Sequence, residues 1–268
     1  MEPRTFDVTG HLHLRMRIRS GDIHITQTDS SSATVHVTGE HKGREIAMET
    51  DDSPSGTRLE VVQPNGSGGW AMRGGPLQID VEVPRDTVAE IVTGSGDLVI
   101  DGTLGELALR SGSGDVRVAA VAGSLRVQSA SGDIRVGAIE GDVSLTTASG
   151  DVEIESIGGS LHGRSASGDI EIGDLSGDGR ATSASGDITI GSASADLSLQ
   201  SVSGDIEVGV PGGMRVWFDL SSTSGDTVSE LEPGGDNDDA GSSSAIKATT
   251  MSGDIRIRRA RSRNRSPV

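Results

Sequence analysis

An aspartate directly follows a glycine at Asp97, Asp115, Asp133, Asp151, Asp169, Asp187 and Asp205, and each stands 18 residues after the one before. Further copies stand at Asp22, Asp226 and Asp254. Carboxylates at a fixed spacing suit two chemistries. Oxygen ligands stacked in a row can hold Ca²⁺ between turns of chain, and paired carboxylates beside a groove can cleave a glycosidic bond. Carboxylates stacked at the strand spacing repel by about 0.9 kcal/mol per pair in bulk water, which a cation or a set of amide hydrogen bonds would relieve. The motif reads S-x-S-G-D followed by two alternating aliphatics. It lacks the doubled glycine of calcium-binding nine-residue repeats. The first expectation is therefore a corner post: glycine supplies positive φ, while aspartate and serine accept nearby backbone amides.

Other candidates carry less. The histidines are His11, His13, His24, His36, His41 and His162. His11 and His13 alternate on one strand face, which could seat a metal, but no spacing supplies a third ligand. "GGDNDDAGSSS" matches part of a helix-flanked calcium loop at Asp236, Asp238 and Gly241, yet Ala240 and Lys247 stand where ligands belong. "SGSGDV" at Ser111–Val116 has neither the lysine nor the helix of a phosphate loop. No Ser-His-Asp set can be ordered, a lone Thr189 is no ice-binding ladder, and with no Cys there is no thiolate chemistry. The expectation is no catalytic residue, no metal ligand and no cofactor.

The elements that must position the aspartates are strands. One residue after the Asp come Leu98, Val116, Ile134, Val152, Ile170, Ile188 and Ile206. Three residues after it come Ile100, Val118, Val136, Ile154, Ile172, Ile190 and Val208. Between them lie Val99, Arg117, Arg135, Glu153, Glu171, Thr189 and Glu207, a solvated column in which Arg135 can pair with Glu153. This is period-two alternation rich in β-branched residues. A second turn follows nine residues on, with its own inward pairs: Leu107/Leu109, Leu125/Val127, Val143/Leu145, the weaker Leu161/Gly163 and Gly179/Ala181, then Leu197/Leu199. Identity at a constant offset is rewarded when each residue stacks on its counterpart one coil away. The predicted fold is all-β: a single-stranded parallel β-helix (β-solenoid) with 18-residue coils of two nine-residue halves, right-handed as parallel crossovers are.

Composition agrees. Only 33% of the 268 residues are hydrophobic and 1% aromatic, so the core must be narrow and aliphatic. The net charge of −17 disfavours nucleic acid along the acidic body. No run is apolar enough for a membrane span, and no signal peptide is visible, so the expectation is a cytoplasmic protein.

Four regions are expected: irregular N-terminal coils at 1–90, the regular repeat at 91–210, distorted C-terminal coils with an acidic loop and cap at 211–257, and a basic disordered tail at 258–268. In the first, "FDVTGHLHLRMRIRSGDIHITQT", "ATVHVTGE", "TRLEVVQP" and "LQIDVEVP" read as strands, and "DDSPSG" and "NGSGGWAMRGG" as loops, with Trp70 plugging an end or riding a loop. Trp217 and Phe218 are expected to cap the other end. The tail carries Arg256, Arg258, Arg259, Arg261, Arg263 and Arg265, a candidate dock for an anionic partner.

The opening F-x-V-x-G, the first S-G-D-I-x-I, the middle "IDVEVPRD" and the serial S-G-D-[IV]-x-[IV] together resemble the bacterial putative adhesin family, a β-strand-repeat domain of unknown function, over residues 5 to 257. The resemblance implies a single-stranded β-helix and a surface or adhesive role, with envelope association, and it brings no catalytic residues. The function expected is a non-enzymatic scaffold, adhesin-like or protein-interacting, facing an unknown protein or cell-envelope partner. The alternatives are a calcium-stabilised β-roll-like binding module and a carbohydrate-active β-helix enzyme.

Overall fold

The structure, a computed structural model, describes residues 2–39, 46–54, 56–64, 77–231 and 243–260. Every element in it is a strand. The chain divides into two compact units, Met1–Gly141 and Asp142–Val268.

The first unit holds β1 (Arg4–Asp7), β2 (His11–Ser20), β3 (Asp22–Gln27), β4 (Ser32–Thr38), β5 (Ala47–Ser53), β6 (Gly56–Val62), β7 (Gln78–Val83), β8 (Val88–Ser95), β9 (Leu98–Leu104), β10 (Glu106–Ser113), β11 (Val116–Val121), β12 (Leu125–Ser129) and β13 (Ile134–Ile139). Sheet A runs β1-β4-β7-β3-β9-β11-β13 and sheet B runs β5-β6-β2-β8-β10-β12. The second unit holds β14 (Val143–Thr147), β15 (Val152–Ile157), β16 (Leu161–Ser167), β17 (Ile170–Leu175), β18 (Gly179–Ser185), β19 (Ile188–Ala193), β20 (Leu197–Ser203), β21 (Ile206–Val210), β22 (Arg215–Ser224), β23 (Thr227–Ser229), β24 (Ser243–Ser252) and β25 (Ile255–Arg259). Here sheet A runs β15-β17-β19-β21-β25-β23 and sheet B runs β14-β16-β18-β20-β24-β22.

Successive strands of a sheet are parallel and pair like with like. Val116 lies beside Ile134 and Leu107 beside Leu125 in the first unit. In the second, Val152 lies beside Ile170, and Ile170 beside Ile188. The predicted inward columns are the core: Ile170, Ile172, Ile188, Ile190, Ile206 and Val208 are all fully buried. A further inward column, including Val121, Ile139, Leu175 and Ala193, escapes simple alternation. It lies three residues past the second inward site, because the strand changes phase there (the burial of Ile134–Ile139 reads in, out, in, half, out, in).

Two features of the first unit depart from a plain parallel stack. β1 pairs antiparallel with β4, β4 with β7, and β5 with β6. The stretch "DDSPSG", read as a loop, contributes Asp51–Ser53 to β5, with Asp51 opposite Arg58 and Asp52 opposite Thr57. An outermost, exposed strand tolerates such residues, and the Thr57 hydroxyl donates to Asp52 Oδ1 at 2.6 Å. Trp70, His41 and most of the acidic loop at 232–242 lie outside the described residues.

Chain order and spatial order also part company at the extremities. β2 and β3 lie between β6–β7 and β8–β9, and β24 and β25 lie between β20–β21 and β22–β23. Asp254 is thus the neighbour of Asp205, with Asp226 outside it. Side-chain size accounts for the C-terminal swap. β24 offers Ile246 and Ala248, which are fully buried, whereas β22 sets the larger Phe218 and Leu220 at the same inward positions. Trp217 does not plug the core: it points outward, 65% exposed, while Phe218 is half-buried. β25 runs through Arg259, into the segment expected to be tail. Arg258 pairs with Glu207, and Arg259 donates to the Pro211 carbonyl.

Two glycines on one strand and its turn give opposite expectations. A Cβ on Gly163 would meet Ala181 Cβ and Ile170 Cδ1 at 3.7 Å, ordinary contact in a core gap. Gly163→Ala should therefore raise stability by about 0.5–1 kcal/mol. Gly168 has φ +113°, and its Cβ would sit 2.3 Å from the Gly150 carbonyl oxygen. Gly168→Ala should cost about 1–3 kcal/mol. Thermal unfolding of both variants checks the pair; equal shifts would contradict it.

Candidate interaction surface

At each Ser-Gly-Asp corner the chain leaves one sheet, and its amide must find a partner other than a strand. The aspartate of the neighbouring rung provides it. In the first unit, Asp97 N–H donates to Asp22 Oδ1 at 3.0 Å, Asp115 to Asp97 at 2.9 Å and Asp133 to Asp115 at 3.1 Å. In the second, Asp169 donates to Asp151 at 3.0 Å, Asp187 to Asp169, Asp205 to Asp187 and Asp254 to Asp205 at 2.8 Å, and Asp226 to Asp254 at 2.9 Å. One carboxylate oxygen of each accepting residue is thereby committed to the next rung. The other faces the residue two places on: Arg117 meets Asp115 Oδ2 at 3.7 Å, Arg135 meets Asp133 at 3.4 Å and Arg256 meets Asp254 at 3.3 Å. The repeated aspartate is a corner post, and among the described residues no cluster of three His, Asp or Glu could hold a metal ion.

Inside the corner runs a buried hydroxyl column, at the first serine of S-x-S-G-D. Ser129 Oγ donates to the Ser131 carbonyl at 3.0 Å, Thr147 Oγ1 to Ser149 at 3.1 Å, Ser165 Oγ to Gly168 at 3.1 Å and Thr250 Oγ1 to Gly204 at 3.2 Å. These hydroxyls satisfy carbonyls that the turn strands. The nine-residue half-turn repeats the device: Ser160 N–H donates to Asp142 Oδ1 at 2.8 Å, Asp196 to Asp178 at 3.3 Å and Ala245 to Asp196 at 2.8 Å.

With the turns explained structurally, chemistry is left to the outer faces of the sheets. On sheet A of the second unit, Glu153, Glu155, Glu171 and Asp174 are exposed and Glu207 is partly so. Sheet B differs in arrangement. In the first unit Arg15, Arg17, Arg19, Arg58, Arg110 and Arg126 lie on it with Glu60, Glu90 and Glu106, and the acidic residues Glu49, Asp51 and Asp52 gather on its outermost strand β5. Arg15 meets Glu90 there at 3.3 Å. In the second unit the face carries His162, Arg164, Arg180 and Lys247, with Lys247 3.1 Å from Asp219. Arg17, Arg110, Arg126, Arg164 and Arg180 form no ion pair among the described residues, whereas Arg117, Arg135, Arg256 and Arg258 on sheet A all meet carboxylates.

The outward column alignment of the second half-turn exposes this asymmetry: Ala108, Arg126, Ser144, His162 and Arg180 in one column, Arg110, Gln128, Thr146 and Arg164 in the next. In the first half-turn the outward charges are mixed, as Arg117, Arg135, Glu153, Glu171 and Glu207 show. His11 and His13 are both exposed on β2. His24 lies 2.8 Å from Asp101 Oδ2 and 3.8 Å from Asp80 Oδ1. Two open depressions accompany sheet B: one of about 640 Å³ bordered by Arg17, Arg19, Val62 and Val92, and one of about 460 Å³ beside Arg215, Trp217 and Asp196. Neither brings a nucleophile against a base.

The family profile described as Toastrack DUF4097 matches residues 11–258. Among solved structures, a putative adhesin from Bacteroides fragilis NCTC 9343 is 15% identical, with a TM-score of 0.50 and 95% of each chain covered. A putative lipid binding protein from Parabacteroides distasonis ATCC 8503 is 17% identical, with a TM-score of 0.52 and 96% of each chain covered. These likenesses show a shared fold. No curated protein matches the chain.

One turn carboxylate has a legible titration. The amide and then the hydroxyl of Ser160 bond Asp142 Oδ1 and hold its pKa below the ordinary value of 3.8. A depressed folded pKa stabilises above the ordinary carboxylate range, and that contribution drains as pH falls through the folded value. In Ser160→Ala the amide bond persists and the hydroxyl bond is lost. Asp142 should then titrate at higher pH than in the wild type, read by carboxyl ¹³C NMR; an unmoved titration would contradict the assignment.

Proposed function

The chain belongs to the Toastrack DUF4097 family, and from that premise we propose that it is a non-enzymatic scaffold, adhesin-like in mode, whose sheet B face docks an acidic protein surface. The architecture behind the proposal is a right-handed parallel β-solenoid with 18-residue coils of two halves. The 18-residue pairing offsets support that coil length, and the handedness rests on the general bias of parallel crossovers.

One observation carries the functional reading: Arg17, Arg110, Arg126, Arg164 and Arg180 on sheet B form no ion pair among the described residues, in a chain with 40 acidic and 23 basic residues. A face of small side chains and spaced guanidinium groups offers bidentate donors to carboxylates on a partner. The face is broad and carries few aromatic groups, which suits a protein surface better than the stacked bases of a nucleic acid. The neighbours named as adhesin and lipid binding protein support an interaction role at an envelope or protein surface.

Fluorescence anisotropy with labelled poly-L-glutamate tests the face. The triple variant Arg17→Glu, Arg110→Glu, Arg126→Glu should bind the probe roughly tenfold more weakly, or worse. Binding by the wild type should fall as salt rises from low to physiological strength. Arg117→Glu on sheet A should change little. Equal losses in the two sets, or no binding by the wild type, would refute the assignment.

A further inference from the structure

β22 is the outermost strand of sheet B in the second unit, paired on one side with β24. Among the described residues no strand occupies its other side. A ten-residue edge presents a row of amides and carbonyls to any strand that fits. The outermost strands of the first unit are guarded by charge: β5 carries Glu49, Asp51 and Asp52, and β1 carries Arg4 and Asp7. The middle of β22 is instead Val216-Trp217-Phe218-Asp219-Leu220. Trp217 is 65% exposed, more than any other large hydrophobic residue among those described.

The core is open at the same place. Ile246 and Ala248 on β24 are fully buried, yet their in-register neighbours Phe218 and Leu220 on β22 are only half-buried. Among the described residues the edge therefore has neither a hydrogen-bonding partner nor an apolar cover.

The sequence around Trp217 complements itself. Two identical strands related by a two-fold axis must run antiparallel, and residues directly opposite one another then share a face. With the axis at Trp217, the inner row sets Met214 against Leu220 and Val216 against Phe218, apolar on apolar. The outer row sets Arg215 against Asp219 on both sides of a Trp217–Trp217 contact. Asp219 already meets Lys247 at 3.1 Å, and a carboxylate has room for a second cation. Moving the axis by one residue in the strand breaks the match. Centred on Phe218, Trp217 opposes Asp219 and Arg215 opposes Ser221. Centred on Val216, Arg215 opposes Trp217 and Asp219 opposes Gly213. Only the Trp217 register satisfies every pair.

We infer that two copies of this chain join edge to edge through β22, antiparallel and centred on Trp217, so that sheet B of the second unit continues from one copy into the other. The occupant of this edge is a second copy, chosen by the charge and size complementarity of β22 with itself. The inference stands apart from the acidic-partner reading, which concerns the outer face of the sheet.

Sedimentation velocity of the full chain over a concentration series tests it. The wild type should sediment as a dimer; a monomer throughout would overturn the inference. Arg215→Asp alone and Asp219→Arg alone each place like charges opposite one another and should be monomeric. Mixed together they restore both opposite-charge pairs, so the mixture should sediment as a heterodimer. Single variants that still dimerise, or a mixture that stays monomeric, would overturn the register.

A second readout needs no binding affinity. The chain has no Cys, so Trp217→Cys introduces one thiol at the two-fold axis. Mild oxidation should convert most of it to covalent dimer, whereas Val202→Cys, an exposed position near the end of β20, should not cross-link. Equal cross-linking of the two variants would also overturn the inference.

Discussion

A backbone amide that turns out of a sheet has no strand beside it, and leaving it unpaired and half-buried costs about 1–3 kcal/mol. In this protein the amide of most described corners is taken by the aspartate one rung away, as with Asp187 on Asp169 at 2.8 Å, while the Asp22 amide donates to the Leu77 carbonyl. The rest of the structure follows from that requirement. Rungs at the strand spacing of about 4.8 Å bring the Gly114 position to within 2.1 Å of the Gly96 carbonyl for any added Cβ. Glycine is obligatory for the same reason that aspartate is useful. The hydroxyl beneath, as at Ser165, then satisfies the carbonyl that the turn exposes. The aspartate and the hydroxyl thus satisfy two different backbone groups, and the glycine leaves room for the rungs to meet.

Holding the corner in register also fixes what can vary. On sheet A the inward column stays aliphatic and of similar size, with Val152, Ile170 and Ile188 directly beside one another, whereas the sheet B columns admit Gly163 and Gly179 beside leucines. Outward columns are not bound by packing. Their charges are therefore the part of the sequence that interaction can shape, and they separate: carboxylates on sheet A of the second unit, arginines without ion pairs on sheet B. A net charge of −17 describes the sum and hides this division. At long range so acidic a chain repels an acidic surface, so in the docking proposed above short-range contact through guanidinium groups would supply the recognition.

Much of this was legible in the sequence because a repeat turns local identity into spatial contact. Asp97 to Asp205 announced the corners, and the aliphatics after them announced the core. What stayed hidden has physical causes. The inward column of Val121 and Ile139 breaks the two-residue period, since the strand shifts phase before it. The antiparallel β5 was hidden by its own composition, because Asp51–Ser53 look like turn residues and survive in a strand only at an exposed edge. The arginine face depends on comparing half-turns nine residues out of phase with the obvious motif. The insertion of β24 between β20 and β22 leaves no mark on the spacing except irregular steps to Asp226 and Asp254.

That insertion bears on how the fold handles its limits. A stack of parallel rungs built by simple succession ends on whichever rung comes last in the chain. Here the last described rung, β24 and β25, carries well-matched interior residues: Ile246, Ala248, Ile255 and Ile257 are fully buried. The rung made before it, β22 and β23, is displaced outward and bears Trp217, Phe218 and Val228. A rung needing no neighbour would gain from polar residues, as the acidic β5 shows in the first unit. Among the described residues nothing covers these half-buried apolar side chains, and burying them against a second surface would remove the hydration cost they carry.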